Sequence, residues 1–166
     1  MEKKNVNFRQ LVKEVKADMD KFHVPYDNYY ELAIKYFSGS TWGTCNYIEQ
    51  AIYINSDLVL YGKDEDIKNT ICHELIHSAK ECRYEGHRGL WKKYANIMNQ
   101  HDYHISRSNR YELNIDATKI YKYVVKCVNC GNTQGFNTRR GVVKNPENYL
   151  CTKCTGKIIL IKGGVE

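Results

Sequence analysis

Asp64-Glu65-Asp66-Ile67-Lys68-Asn69-Thr70-Ile71-Cys72-His73-Glu74-Leu75-Ile76-His77-Ser78-Ala79-Lys80 is the stretch on which the reading of this chain turns. Three acids open it, and a helix N-terminus favours negative charge through capping and through its dipole. Ile67, Ile71, Leu75 and Ala79 then recur every fourth residue, which lays one apolar stripe along a helix over 64–80. His73 and His77, also four apart, rise from another side of the same cylinder, so one face packs into a core and the other faces a cleft. Two imidazoles at that spacing can hold one zinc ion. Glu74 directly follows the first of them, close enough to take a proton from a zinc-bound water, and this is the equipment of hydrolysis.

A catalytic zinc takes three protein ligands and keeps a fourth position for water, so a third ligand is expected downstream. His87 is the leading candidate. Nine residues separate it from His77, and Gly86 and Gly89 bracket it, permitting a tight turn back to the metal. The metzincin pattern needs a histidine six positions after His77, where Arg83 stands. A thermolysin-like site would use a later Glu, and none occurs between Glu85 and Glu112. Glu81 and Glu85 remain possible ligands. Tyr84, Arg83 and His104 are candidate oxyanion donors, none singled out by the sequence. His101 and His104 are expected at the surface, and Cys45, Cys72 and Cys82 read as small buried hydrophobes.

Cys127-Val128-Asn129-Cys130 is followed after twenty residues by Cys151-Thr152-Lys153-Cys154, a spacing that reads as a four-thiolate structural zinc site. Gly131 and Gly156 let backbone amides approach the sulfurs, and the runs Tyr121–Lys126 and Lys157–Lys162 supply strands of a zinc ribbon. Disulfides are the competing reading. They need an oxidising compartment, but Met1-Glu2-Lys3-Lys4-Asn5 lacks the apolar core of a signal peptide. No apolar run is long enough to cross a membrane, so a cytoplasmic protein is expected, and a monomer.

The 166 residues can hold one catalytic core and a small metal-stapled module, divided here as 1–105 and 106–166, the second beginning with a linker. The net charge of +6 is uneven: residues 1–102 carry 14 Lys and Arg against 15 Asp and Glu, and residues 103–166 carry 11 against 4. A basic tail favours an anionic partner, nucleic acid foremost. Arg107, Arg110, Lys119, Lys122, Arg139, Arg140, Lys144 and Lys153 interleave with Tyr111, Tyr121, Tyr123, Phe136 and Tyr149, a mixture that binds single-stranded DNA by phosphate contact and base stacking. Arg110, Tyr111, Phe136, Arg139, Arg140, Lys144, Tyr149 and Lys153 are the residues assigned to that contact.

Phe8, Leu11, Val12, Val15, Met19 and Phe22 fall at helical spacing, and Pro25 ends that helix. Tyr30–Phe37 and Ala51–Asn55 read as strands, with Gly39, Gly43 and Asn46 marking turns around Trp42 and Cys45. Trp42 belongs either to the core or to the edge of a substrate groove. Leu90, Trp91, Tyr94, Ile97 and Met98 form the stripe of a further helix that presses the His87 loop against the zinc helix. The expected fold is α+β.

Trp42-Gly43-Thr44-Cys45, His73-Glu74-Leu75-Ile76-His77, Gly86-His87 with Trp91 behind it, and the paired Cys-x-x-Cys tail, in this order, resemble the SprT-like family over roughly residues 5–160. The resemblance implies a zincin-like metalloendopeptidase core of small sheet and zinc helix, with a C-terminal β zinc ribbon. It implies His73, His77 and His87 as ligands of a catalytic zinc, Glu74 as general base, and a second, structural zinc on Cys127, Cys130, Cys151 and Cys154. The best-known members digest proteins crosslinked to DNA and are switched on by DNA, which would make a DNA-associated protein the substrate here. Two rival classes stand beside this one: a non-catalytic zinc-containing DNA-binding or scaffold protein, and a zinc hydrolase of a small amide.

Overall fold

A computed structural model of the chain describes residues 7–111, 113, 118 and 121–163. The readings that fall on Met1–Asn5, Glu112 and Lys119 lie outside the described residues. The chain divides into two compact units, residues 1–114 and 115–166. Both mix helix and strand, and no described helix is long and apolar enough to cross a membrane.

The first unit begins with α1 (Phe8–Lys21), capped by Asn7, whose side chain accepts from the Gln10 amide. Leu11, Val15 and Met19 bury the expected stripe, and the helix closes ahead of Pro25 through His23, which adopts a positive φ of 56°. Strands β1 (Glu31–Lys35), β2 (Gly43–Asn46) and β3 (Ala51–Asn55) form a sheet in the order β1-β3-β2, with β1 parallel and β2 antiparallel to the central β3. The sequence reading took Gly43 and Asn46 for turn residues. They are instead the two ends of β2, because pairing with β3 supplies the hydrogen bonds that local propensity does not. A short helix α2 (Ser56–Tyr61), not anticipated, follows directly.

Asn55, buried at the end of β3, explains how α2 and the sheet are joined to the loop before β2. Its side-chain oxygen accepts from the Asp57 amide to cap α2, and its side-chain nitrogen donates to the carbonyls of Phe37 and Thr41. The loop carrying Trp42 is thereby fixed to the sheet.

Helix α3 (Asp64–Ser78) is the zinc helix of the sequence reading, ending two residues short of Lys80. Its acids supply favourable charge to the N-terminus but not the cap, which is Lys63 with no side-chain hydrogen bond. Ile67, Ile71, Leu75 and Ala79 are all buried, as are Cys72 and Cys82. Ser78, wholly buried, donates to the Leu75 carbonyl and accepts from the Asp27 amide, so its hydroxyl is satisfied. Helix α4 (Gly89–Asn99) buries Trp91, Ala95 and Met98 and packs beside α3.

The second unit pairs β4 (Tyr123–Cys127) with β5 (Thr133–Phe136) and β6 (Ile158–Lys162) in a three-stranded antiparallel sheet ordered β5-β4-β6. Strand β5 and a short helix α5 (Gly141–Lys144) were not read from the sequence. Gly131 takes a φ of +71° and donates its amide to the Cys127 carbonyl, closing the first knuckle.

Candidate active site

Helix α3 projects His73 and His77 from successive turns, and the segment after it brings His87 to meet them. The turn depends on positive φ at Tyr84 (67°), Gly86 (63°) and Gly89 (50°), conformations that two of the three sites meet with glycine. The three Nε2 atoms stand 3.3 Å (His77 to His73), 3.2 Å (His77 to His87) and 3.0 Å (His87 to His73) apart. Ligands 2.0–2.1 Å from a tetrahedral zinc lie about 3.3–3.4 Å from one another, so the cluster fits that ion. Glu81 and Glu85, left open as ligands, are engaged elsewhere. The Glu85 carboxylate accepts the Leu90 amide at 2.9 Å and holds the start of α4, and Glu81 accepts the Tyr94 hydroxyl.

Trp91 lies behind all three imidazoles, with ring centroids 4.8 Å from His73, 5.3 Å from His77 and 4.6 Å from His87, and its indole N–H donates to the His73 carbonyl. Burial is the first cause that disfavours the charged imidazoles, reinforced by their mutual repulsion. His73 is pushed down to about 3 and His77 to about 4, and His87 is lowered by burial and by the neighbouring charge of Arg107. The Ser106 backbone opposes this for His73 through a hydrogen bond to the ring. All three rings are therefore neutral at pH 7, the state a metal requires.

Glu74 is 6% exposed, and burial alone raises its carboxyl to about 8. No donor among the described residues engages that carboxylate. It sits against Gly43 of β2, where an added Cβ would fall 2.9 Å from both Glu74 Cγ and Oε1 and 2.8 Å from Thr70 Cγ2. Gly43 is thus a point of close approach between the sheet and the face of α3 that carries Thr70 and Glu74, which a turn at that residue would not imply.

These groups open into a cleft of about 540 Å³ whose walls include Trp42, Cys45, Tyr47, Thr70 and the segment Arg107–Tyr111. That segment, assigned to a linker by the sequence, is anchored at several points. The Trp42 indole N–H donates to the Asn109 carbonyl at 3.1 Å, and Tyr111 packs on Trp42 with ring centroids 5.7 Å apart. Asn109 donates from its side chain to the Tyr111 hydroxyl (2.6 Å) and the His104 carbonyl (3.2 Å). Thr70 donates to the Asp66 carbonyl, so its contact with Tyr111 at 3.1 Å is one in which the phenol donates. Trp42 therefore edges the groove while belonging partly to the core. No motif in the sequence links this segment, some thirty residues downstream, to α3. Of the proposed oxyanion donors, Tyr84 is 88% exposed, Arg83 pairs with Asp27 at 3.3 Å, and His104 lines a different hollow.

A family model described as SprT-like matches residues 7–116, two thirds of the chain and the whole of this cleft. The chain belongs to the SprT-like family. It is also similar to Protein SprT-like from Lysinibacillus sphaericus (strain C3-41), 28% identical over 162 residues that span 95% of this chain and 99% of the relative.

The second unit of this SprT-like chain brings the four remaining cysteines together. Their sulfurs lie within 4.8 Å of one another, with Cys127 and Cys154 3.5 Å apart and Cys130 and Cys151 3.7 Å apart. Zinc–thiolate bonds of about 2.3 Å place tetrahedral sulfurs about 3.8 Å apart, so this set too fits zinc. The Cys130 and Asn129 amides pull Cys127 down to about 6, while Cys154, against the pull of the Gly156 amide, is pushed up to about 12 by the crowding Cys130 and Cys127 sulfurs, so the four thiols share their protons until a metal replaces them. Of the residues assigned to nucleic acid, Phe136, Arg139, Arg140, Lys144, Tyr149 and Lys153 belong to this unit, with Arg140 over the Phe136 ring at 5.8 Å. Arg110 and Tyr111 belong to the first unit and line the cleft.

Proposed function

We propose that this SprT-like protein is a zinc metallopeptidase with a zincin-like core, in which His73, His77 and His87 hold a catalytic zinc and Glu74 is the general base. The observation that carries the reading is the convergence of three neutral imidazole nitrogens and one carboxylate, without a donor among the described residues, on a single open cleft. Zinc, when bound there, supplies a Lewis acid and a positive charge that make a water more acidic and favour the ionised form of Glu74. Glu74 takes a proton from the attacking water at a carboxylate oxygen. Burial disfavours its charge, so the carboxyl accepts the proton readily, holds it away from bulk solvent, and delivers it to the nitrogen of the leaving amine. Trp91 and the Ser106 backbone keep the imidazoles oriented. Strand β2 lies at the sheet edge with Gly43 and Cys45 on the cleft, which offers an extended peptide a strand to pair with.

A second, structural zinc sits on Cys127, Cys130, Cys151 and Cys154. The substrate class is protein bound or crosslinked to DNA, with cleavage stimulated by DNA. This part of the reading is supported by the family resemblance and by the excess of 11 basic over 4 acidic residues in 103–166, exposed at Arg139, Arg140 and Lys144.

The test is cleavage of a DNA-binding protein by the zinc-loaded enzyme, with and without single-stranded DNA, beside Glu74→Gln. Cleavage that requires both Glu74 and DNA is expected, and Glu74→Gln is expected to keep its zinc. A Glu74→Gln variant as fast as wild type would refute the role of Glu74. Cleavage that ignores DNA would remove the DNA component, and no cleavage under any condition would favour the non-catalytic scaffold.

A further inference from the structure

We infer that Arg107 and Arg110 form a carboxylate-binding subsite on the cleft, so that the preferred polypeptide carries an acidic side chain, or its own terminal carboxylate, beside the bond that is cut. This deepens the peptidase reading and rests on it.

The cleft is unbalanced in charge. Arg107 and Arg110 line it together with the three histidines, and the acid among its lining residues is Glu74, which is buried and committed to proton transfer. Neither guanidinium has a hydrogen bond or ion pair to a carboxylate among the described residues. Two cations elsewhere in the same unit are matched, Arg83 by Asp27 and Lys68 by Glu14. Arg107 also stands close enough to His87 for its charge to act on the ring. A substrate carboxylate held by these arginines would lie beside the reacting bond.

The segment bearing the arginines is held at both walls of the cleft. Trp42 fixes the Asn109 carbonyl, Tyr111 donates to Thr70 of α3, and the Ser106 backbone meets His73. Two planar forks on an anchored backbone lose less freedom on binding a carboxylate than they would on a loose loop. The same anchoring argues for polypeptide over nucleic acid at this spot. Binding a single strand needs an aromatic face free for base stacking, but the Tyr111 ring packs on Trp42 and its hydroxyl is tied to Thr70 and Asn109.

The test uses zinc-loaded Glu74→Gln, which binds without turnover, and short fluorescent peptides matched except for a central Glu, Gln or Lys, each with a free or an amidated C-terminus. Both arginines are exposed, so each contact is expected to contribute a factor of about two to five. The Glu peptide should bind about three- to tenfold more tightly than the Gln peptide at low salt, less so at high salt. Adding Arg107→Ala and Arg110→Ala should erase that ratio, and Arg107→Glu with Arg110→Glu should turn it towards the Lys peptide. A preference confined to free C-termini would assign the subsite to the terminal carboxylate, and one that survives amidation to the side chain. Equal affinity for all peptides, no detectable binding of any, or a Glu preference that persists without the arginines would overturn the inference. So would an oligothymidine that competes through the arginines while the peptides show no preference. Wild-type enzyme that cleaves Glu and Gln peptides equally would sink the subsite and leave the peptidase standing. Charge-selective binding without any turnover would do the reverse.

Discussion

Gly43→Ala isolates the contribution of carboxylate position to the proposed chemistry. The added methyl would stand 2.8 Å from Thr70 Cγ2 and 2.9 Å from Glu74 Cγ and Oε1, whereas ordinary contact begins at 3.4 Å. Something must move by about half an ångström to one ångström. Thr70 is the stiffer neighbour, since it is β-branched and its hydroxyl is bonded to the Asp66 carbonyl and to Tyr111. Glu74, whose carboxylate no donor among the described residues holds, gives way. A catalytic group displaced by about 1 Å can cost about 10²-fold in rate, so kcat/KM on an unfolded protein substrate is expected to fall about 10- to 100-fold. Overpacking should lower stability by only about 1–3 kcal/mol, and bound zinc should not change, because none of the three histidines is among the atoms crowded. Thr70→Ser in the same background removes the crowding methyl and should recover part of the activity. Peptidase assay, zinc content and thermal melting on the three proteins decide the matter. A Gly43→Ala enzyme within twofold of wild type, or one that has shed its zinc, would refute the reasoning.

Acid should weaken the metal-free fold. His73 and His77 bind protons only near pH 3 and 4 when folded but near 6.5 when unfolded, so the unfolded state holds more protons between those values, and stability falls by about 1.4 kcal/mol per histidine for each pH unit below about 6.5. Chelated protein whose melting temperature is flat from pH 7 to pH 5 would contradict this. Glu74 acts in the opposite sense. Its folded carboxyl, raised from 4.5 to about 8, keeps a proton that the unfolded chain releases, so the metal-free wild type should lose stability as pH rises through that window, and Glu74→Gln should abolish that loss and gain about 2–4 kcal/mol at pH 8, read by chemical denaturation. Trp91→Phe should weaken zinc binding about tenfold by loosening the backing of the three imidazoles, measured by competition with a chelator; an unchanged affinity would mean the ring only fills space. Cys151→Ser should lower the zinc content from two ions to one and cost the second unit its cooperative unfolding, while the histidine site keeps its ion.

The two clusters that could hold a metal were legible because each rests on local repetition. A helix must bring residues four apart to one face, and a Cys-x-x-Cys knuckle must bring its two sulfurs together, whatever the rest of the chain does. The apolar stripes of α1, α3 and α4 were legible for the same reason; that of α3 is buried throughout, whereas Phe8, Val12 and Phe22 on the first and Leu90, Tyr94 and Ile97 on the last are half-buried against the core. His87 was reachable because a pair of glycines announces a turn. Strand β2 was not legible, since a four-residue edge strand beginning with Gly and ending with Asn has no local preference for extension and exists only through its pairing with β3. The clamp made by Asn55 left no signal either, because an asparagine at the end of a strand reads simply as a turn residue.

By itself, then, the sequence determined the candidate ligand types, the carboxylate beside them, the helix that carries His73, Glu74 and His77, and the basic character of the C-terminal third, all matters of composition and of spacing within one element. The tertiary structure decided what surrounds them. It set Gly43 against Glu74, turned Trp91 beneath the three imidazoles, and laid Arg107–Tyr111 along the cleft by bonding Asn109 to Trp42 and Tyr111 to Thr70. Apart from those of Trp91, whose histidines lie 4 to 18 positions away, these contacts join residues about thirty to seventy positions apart. Their formation depends on how the sheet and helices pack, and periodicity within a single element carries no information about that packing.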